Sequence, residues 1–138
     1  MARTSDPVEA LRAVDLFAQL SSRSLEKVAK RLKGVEHPAG KDIAVDGQEG
    51  AAFHLLRSGS AEVVVGGQVV RTLGPGDYFG DLSLIDRKPR SATVRTTSEV
   101  TTYALVAWDF TPLLDSEPEI TKALLLVMCE RLRSAEAR

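Results

Sequence analysis

The sequence predicts a mainly β fold with flanking helices, arranged as a sandwich or jelly roll. Three observations carry this. Residues 35–106 break into short Val/Ile-rich or aromatic runs punctuated by Gly and Pro, the mark of many short antiparallel strands. Before and after that stretch, apolar residues recur at helical spacing. The chain is 138 residues long, the size of one ordinary domain. A single domain over 1–138 is therefore expected, with N-terminal helices over 1–34, the β zone over 35–106 and C-terminal helices over 107–138.

The N-terminal zone opens on Asp6-Pro7-Val8-Glu9. This run has a capping Asp, a Pro in the first turn, and a Glu three residues after the cap. Val8, Leu11 and Val14 follow on one face. A second helix is expected after Ser21-Ser22, with Leu25, Val28, Ala29 and Leu32 inward and Lys27, Lys30 and Arg31 outward, stopped at Gly34. Leu16-Phe17-Ala18-Gln19-Leu20 forms a short apolar link between the two.

Candidate strands lie at 43–45, 52–56, 61–65, 68–72, 92–96 and 100–106. The clearest local signal is Val63-Val64-Val65-Gly66-Gly67-Gln68-Val69-Val70. Two apolar runs around Gly-Gly make a two-residue hairpin, whose turn needs positive φ at both central positions. Further turns are expected at Pro38-Ala39-Gly40, Asp46-Gly47, Ser58-Gly59 and Gly74-Pro75-Gly76.

The C-terminal zone predicts a short helix over 108–116, with Pro112 in its first turn. Ser116-Glu117-Pro118-Glu119 then reads as a capping signature for a longer helix to about residue 133. The middle of that helix, Leu124 to Cys129, is apolar nearly all round, which predicts burial on more than one side. This block can pack on its own domain or also on a second copy.

Composition excludes several classes. Lys and Arg number 18 against 19 Asp and Glu, for a net charge of −1, so no basic footprint for nucleic acid stands out. Aromatics are 5%, too few for a base-stacking platform. The one cysteine, Cys129, permits no internal disulfide and fits a reducing compartment. The first residues lack the apolar stretch of a secretory signal, and the longest apolar run, 123–129, is far short of a membrane span. A cytoplasmic protein without membrane contact is expected.

The chemistry concentrates in residues 79–94, Phe79-Gly80-Asp81-Leu82-Ser83-Leu84-Ile85-Asp86-Arg87-Lys88-Pro89-Arg90-Ser91-Ala92-Thr93-Val94. These read as a strand end, a glycine, a short helical turn, a polar loop and a strand re-entry. Gly80 lets backbone N–H groups come close to a ligand. The amides opening the turn at Leu82 lack helical partners and suit an anion. Pro89 holds the chain extended ahead of Arg90, whose planar fork of donors matches a phosphate. Asp81 supplies a carboxylate that can accept from a sugar hydroxyl, or can cap the turn.

This segment resembles the phosphate-binding cassette of cyclic nucleotide-binding domains, the type found in catabolite activators and in protein kinase A regulatory subunits. The resemblance extends to Leu16-Phe17-Ala18-Gln19-Leu20-Ser21, to His37-Pro38-Ala39-Gly40 with Ile43, to Leu56-Arg57-Ser58-Gly59-Ser60-Ala61-Glu62-Val63, and to Leu73-Gly74-Pro75-Gly76-Asp77-Tyr78-Phe79-Gly80. It implies a β jelly roll (double-stranded β-helix) whose last helices form a lid. It also implies that Arg90 binds the cyclic phosphate, and that the amides near Leu82 and Ser83, with Ser91 and Ala92, bind phosphate or the nucleotide edge. Gly80 and Asp81 would take the ribose 2′-hydroxyl. The implied ligand is cyclic AMP (cAMP), with cyclic GMP (cGMP) as the alternative, since Ser91 is compatible with either. No cofactor or metal is implied. The family usually has Glu where this chain has Asp81. One methylene less would stretch a bond of about 2.8 Å by roughly 1.5 Å unless the backbone moves in or a water intervenes.

Other residues have plainer readings. Ser83 lacks a His and Asp arrangement and is expected to be a backbone donor with a solvated hydroxyl rather than a nucleophile. His37 and His54 are isolated in sequence and fit no metal spacing. Cys129 is expected to be packed, and Arg87-Lys88 to sit at an exposed loop tip. Arg131, Arg133 and Arg138 read as charges at a helix C-terminus, one of which can also cover a bound base. No acid, base, nucleophile or metal set suggests an enzyme. The functional expectation is a cyclic nucleotide sensor whose effector lies in another chain, or which forms a homodimer through the C-terminal helix. The alternatives are the sensor part of a catabolite-activator-like transcription regulator without its DNA-binding domain, and a ligand-free interaction or dimerisation module.

Overall fold

The structure, a computed structural model, describes residues 6–45, 47 and 52–137. Its elements run α1 (Pro7–Arg12), α2 (Ser22–Ala29), β1 (Lys33–His37), β2 (Asp42–Ala44), β3 (Ala52–Ser58), β4 (Ala61–Val65), β5 (Gln68–Leu73), β6 (Tyr78–Phe79), α3 (Asp81–Asp86), β7 (Thr93–Thr96), β8 (Val100–Val106), α4 (Ala107–Ser116) and α5 (Pro118–Glu136). The strands form two four-stranded sheets, ordered β1-β8-β3-β6 and β2-β7-β4-β5. Every pairing is antiparallel. The architecture is the expected mainly β jelly roll with helices at both ends.

Two apolar cores follow from this layering. Between the sheets lie Ala44, Leu56, Ala61, Leu73, Val94 and Val100. On the outer face of the first sheet, Phe53, Leu55 and Leu105 pack against Leu11, Leu16, Phe17 and Leu25 from the N-terminal zone, and against Phe110, Ile120, Leu124 and Val127 from α4 and α5. Strand β3 is buried on both faces, so its side chains alternate between the two cores. Phe17 sits at the centre of the outer core, edge-on to Phe53 at 5.5 Å and to Phe110 at 6.1 Å. The apolar link is therefore the joint through which both helical ends meet the sheet.

Local signals hold in several places. Asp6 accepts from the Val8 amide at 2.9 Å, and Pro7 takes the first helical position. The Glu9 carboxylate pairs with Arg12. Ser21 caps α2 by accepting from the Ser24 amide at 3.2 Å. Gly66 and Gly67 have φ of 57° and 78°, the turn the hairpin requires. Of the expected Asp46-Gly47 turn, Asp46 lies outside the described residues, as does Arg138.

Other expectations need correction. Helix α2 ends at Ala29, and Gly34 lies in β1 opposite Tyr103 of β8. The polar run Lys33–His37 is a strand because β8 offers it a full antiparallel partner, which its own sequence does not signal. Strand β6 is only two residues long, paired to His54 and Leu55, and supplies the strand end expected before Gly80. Helix α4 starts at Ala107, so Pro112 is interior to it, where it forgoes a bond to the Trp108 carbonyl. Ser116 ends α4 and is not a cap. Glu117 stands between the helices without a side-chain cap, its carboxylate 2.8 Å from Lys27 Nζ.

Helix α5 is buried on one face only. Ile120, Ala123, Leu124 and Val127 point inward, whereas Leu125, Leu126 and Leu132 are 63%, 47% and 60% exposed. Cys129 is exposed as well, contrary to the expectation of packing.

Candidate functional site

The segment after β6 crosses from the edge of one sheet to the other, and a cavity of about 560 Å³ opens beneath it. Gly80, Asp81, Leu82, Ser83, Arg90, Ser91 and Ala92 all line this cavity. The residues singled out from sequence are thus brought together around one space.

Gly80 makes the crossing possible. It caps α3 in the left-handed region at φ 85°, and a Cβ there would collide with the Ala52 carbonyl oxygen and the Arg90 guanidinium. The first bond of α3 runs from the Leu84 amide to the Gly80 carbonyl at 3.0 Å, so the amides of Asp81, Leu82 and Ser83 precede the helical ladder. Helix α3 stops at Arg87, which takes positive φ at 59° and donates its amide to the Ser83 carbonyl. The following loop is braced from within: Lys88 donates its amide to Asp86 at 2.9 Å, and Ser83 Oγ donates to the Lys88 carbonyl at 3.2 Å. Ser83 is buried, so its hydroxyl serves this brace and is not solvated. Arg87 reaches Thr111 of α4 at 3.1 Å, tying the loop tip to the C-terminal helices.

Arg90 points back into the cavity. Its Nη2 donates to the Ala52 carbonyl at 2.5 Å, and the guanidinium lies 5.9 Å from the Phe79 ring centroid. Burial pushes its pKa down, against the charge of Asp81. A half-buried guanidinium held, among the described residues, by one carbonyl keeps further donors for an anion.

Asp81 does not cap α3, because Gly80 is the cap and forms no side-chain bond there. Its carboxylate instead accepts from Arg131 Nη1 at 2.6 Å. Arg131 Nη2 lies 3.1 Å from both Asp15 oxygens, its Nε lies 3.3 Å from Oδ2, and its Nη2 lies 3.4 Å from the Tyr78 hydroxyl. The Tyr78 hydroxyl in turn donates to Asp15. Burial would raise the Asp15 carboxyl, but Tyr78 and Arg131 outweigh it and hold it below its usual range. Burial, then the bond and charge of Asp15, push the Tyr78 phenol up to about 12. Asp15 and Tyr78 were not singled out from sequence. Arg131 had a usable signal: it continues the stripe of Ile120, Leu124 and Val127 at helical spacing.

Behind the cassette, His37 and His54 are not isolated. Their rings lie 5.6 Å apart, and His37 Nε2 and His54 Nδ1 sit 3.2 and 3.1 Å from the one hydroxyl of Thr102. His54 also stacks on Phe79 at 5.1 Å, so this buried group abuts the strand that leads into Gly80. Among the described residues, no group of His, Cys, Asp and Glu is arranged to hold a metal.

Known proteins share both the sequence and the shape. The chain is 42% identical over 92 residues to a cAMP-dependent protein kinase regulatory subunit of Emericella nidulans, covering 65% of this chain and 22% of that one. It is 36% identical over 119 residues to a cyclic nucleotide-gated potassium channel of Rhizobium etli, covering 86% and 33%. The N-terminal domain of a transcriptional regulator from Streptomyces coelicolor A3(2) superposes with a TM-score of 0.84 at 28% identity, covering 93% of each chain. The chain thus spans a third or less of the length of these two curated relatives. The cyclic nucleotide-binding domain profile matches residues 35–117, from β1 through the cassette to the end of α4. With the jelly roll, the cassette glycine and the cavity arginine all in place, the chain belongs to the cyclic nucleotide-binding domain family.

Proposed function

We propose that the chain is a regulatory module that binds a cyclic nucleotide, cAMP in preference to cGMP, and rearranges its helices on binding. The observation that carries this reading is the convergence of Arg90, Gly80 and the opening amides of α3 on one cavity. In it Arg90 takes the cyclic phosphate together with the Leu82 and Ser83 amides, Ser91 and Ala92 face the phosphate or nucleotide edge, and Gly80 with Asp81 takes the ribose 2′-hydroxyl. The name of the Emericella relative, a cAMP-dependent regulatory subunit, supports cAMP; Ser91 is compatible with both nucleotides. No cofactor and no catalytic step enters.

The output runs through the helices. Residues 1–138 act as one sensing unit in which α5 and the link around Phe17 share a core, so movement at the cavity mouth reaches both ends. The ligand can drive this only by binding one arrangement better than the other. Its effector is a protein in another chain, and the module itself works in the cytoplasm without direct contact to nucleic acid or membrane. No helix among the described residues is long and apolar enough to cross a membrane. The outer face of α5, with Leu125, Leu126 and Leu132 exposed, pairs with a second copy. A second reading, the sensor part of a transcription regulator, is supported by the match to the Streptomyces domain.

Thermal unfolding with millimolar cAMP, cGMP or 5′-AMP tests the binding reading. Ligand at 100 times its Kd stabilises by about 2.7 kcal/mol, so a rise of several degrees with the cyclic nucleotides alone is expected. An unchanged melting temperature with all of them would refute it.

A further inference from the structure

A single row of side chains crosses the second sheet beneath the cavity. Ala44 of β2 pairs with Val94 of β7, Val94 with Val63 of β4, and Val63 with Arg71 of β5. Directly paired residues share a face of the sheet, and all four line the cavity. The row is therefore apolar across three strands and ends in a guanidinium at the sheet edge. At about 4.8 Å per strand it spans roughly 14 Å.

Arg71 owes its place to a bulge. Val63 pairs with Arg71 but Val64 pairs with Val69, so Val70 is the extra residue. A bulge of this kind re-aims the side chains beside it. Leu73, two residues on, shares the inward face and is buried between the sheets, so Arg71 is an arginine on the inward side of a strand. Its ion pair is loose: Nη2 lies 3.9 Å from Asp77 Oδ1, beyond hydrogen-bond range, with the side chains 57% and 45% exposed. Asp77 is engaged elsewhere, its Oδ2 accepting from the Gly74 amide at 2.8 Å.

The two ends of the row offer a nucleotide different things. At the β2 end, the Gly47 amide donates to the Arg90 carbonyl at 2.8 Å, so the chain carrying the cassette arginine runs beside this end. Arg71 stands three strands away. A ligand held by its phosphate at Arg90, with its base on the apolar row, has the outer edge of that base directed at Arg71. Alanine and valine are short and lie under the base, whereas arginine is long and rises beside it. Purine edges carry acceptors such as N7, and a guanidinium carries only donors. A pyrimidine is one fused ring shorter.

We propose that Arg71 reads the base: it donates to the outer edge of a purine lying on Ala44, Val94 and Val63, and so selects purine over pyrimidine cyclic nucleotides. This rests on the cyclic nucleotide reading of the preceding section. The cassette binds what all cyclic nucleotides share, and Arg71 measures the length of the base.

The test measures dissociation constants of cAMP, cGMP and cyclic CMP, by competition against a fluorescent cyclic nucleotide. The proteins are the wild-type chain, Arg71→Met and Asp77→Asn, with melting curves to verify folding. Methionine keeps an unbranched stem and loses the donors. Arg71→Met should weaken cAMP and cGMP about tenfold each and leave cyclic CMP unchanged, so the purine preference shrinks about tenfold. Asp77→Asn should leave all three affinities as they are, because a pair 3.9 Å apart holds Arg71 loosely. Equal weakening of all three by Arg71→Met would overturn the proposal by making Arg71 a general attractor of anions. Unchanged purine binding would overturn it by leaving Arg71 to Asp77 alone. Equal losses in Arg71→Met and Asp77→Asn would overturn it by making their ion pair a brace for the turn into β6. A wild-type chain that binds none of the three would instead defeat the cyclic nucleotide reading itself, and this proposal with it.

Discussion

The guanidinium of Arg90 lies in the space that a Cβ on Gly80 would occupy, with the Ala52 carbonyl oxygen on the same side. The two residues are ten apart in sequence, and the chain can pass between them only as glycine. Gly80→Ala is therefore expected to lower stability by about 1–3 kcal/mol through positive-φ strain alone. It should also push Arg90 off the Ala52 carbonyl, weakening nucleotide binding. Denaturant unfolding and a binding titration on the same sample check both effects; an alanine variant with wild-type stability and affinity would show that this close approach does not matter.

The shorter carboxylate at position 81 gives a second expectation. Asp81→Glu adds one methylene, enough to meet a ribose hydroxyl without drawing the cassette backbone inward. Affinity for cAMP should rise by about tenfold, the order of one charge-assisted hydrogen bond. Competition binding against a fluorescent cyclic nucleotide reads this directly. Weaker binding by the glutamate variant would mean that the site is built around aspartate.

Stability should fall in mild acid because of the buried histidine pair. Burial first, then the charges of His37 and Arg90, lower the His54 pKa to about 3, and burial with Lys41 lowers that of His37. In the unfolded chain both titrate near 6.5. Between those values the unfolded state binds more protons, so stability is fully present above pH 6.5 and is lost as the pH drops toward about 3. The slope from one such group is at most about 1.4 kcal/mol per pH unit. Urea unfolding from pH 7.5 to 5 should show this slope, and His54→Gln should remove its larger share; equal slopes in the two proteins would assign it elsewhere.

Sequence reading reached what is contiguous and missed what is assembled. The cassette was legible because its glycine, amides and Arg90 fall within residues 79–94, and the Gly66-Gly67 turn because its geometry is local. Strand β1 was not legible: Lys33–His37 carries no alternation of its own and takes its form from β8. His37 and His54 look unrelated until β8 places Thr102 between them. The Asp15, Tyr78, Asp81 and Arg131 cluster draws on three separate segments; Asp81 was named from its own motif, but nothing local in the sequence joins it to Asp15 or Arg131. The apolar block of α5 misled because composition cannot say which neighbours exist to cover its second face.

That uncovered face yields another expectation. Leu125 is 63% exposed beside Leu126 and Leu132, so in a dimer built through α5 a charge there would face an apolar partner surface. Leu125→Glu should shift the chain from dimer to monomer in sedimentation equilibrium without lowering its melting temperature. A wild-type chain that stays monomeric across the concentration range would contradict this pairing.

Calorimetric titration of the wild-type chain and Arg90→Ala with cAMP decides whether Arg90 and the cassette bind a cyclic phosphate. Among the described residues the Arg90 side chain makes one hydrogen bond, to the Ala52 carbonyl, so the variant should stay folded, losing about 1 kcal/mol of stability. Saturable binding by the wild-type chain and no measurable binding by the variant is the expected result. Equal affinity for the two proteins, or no heat from the wild type at millimolar cAMP, would contradict it.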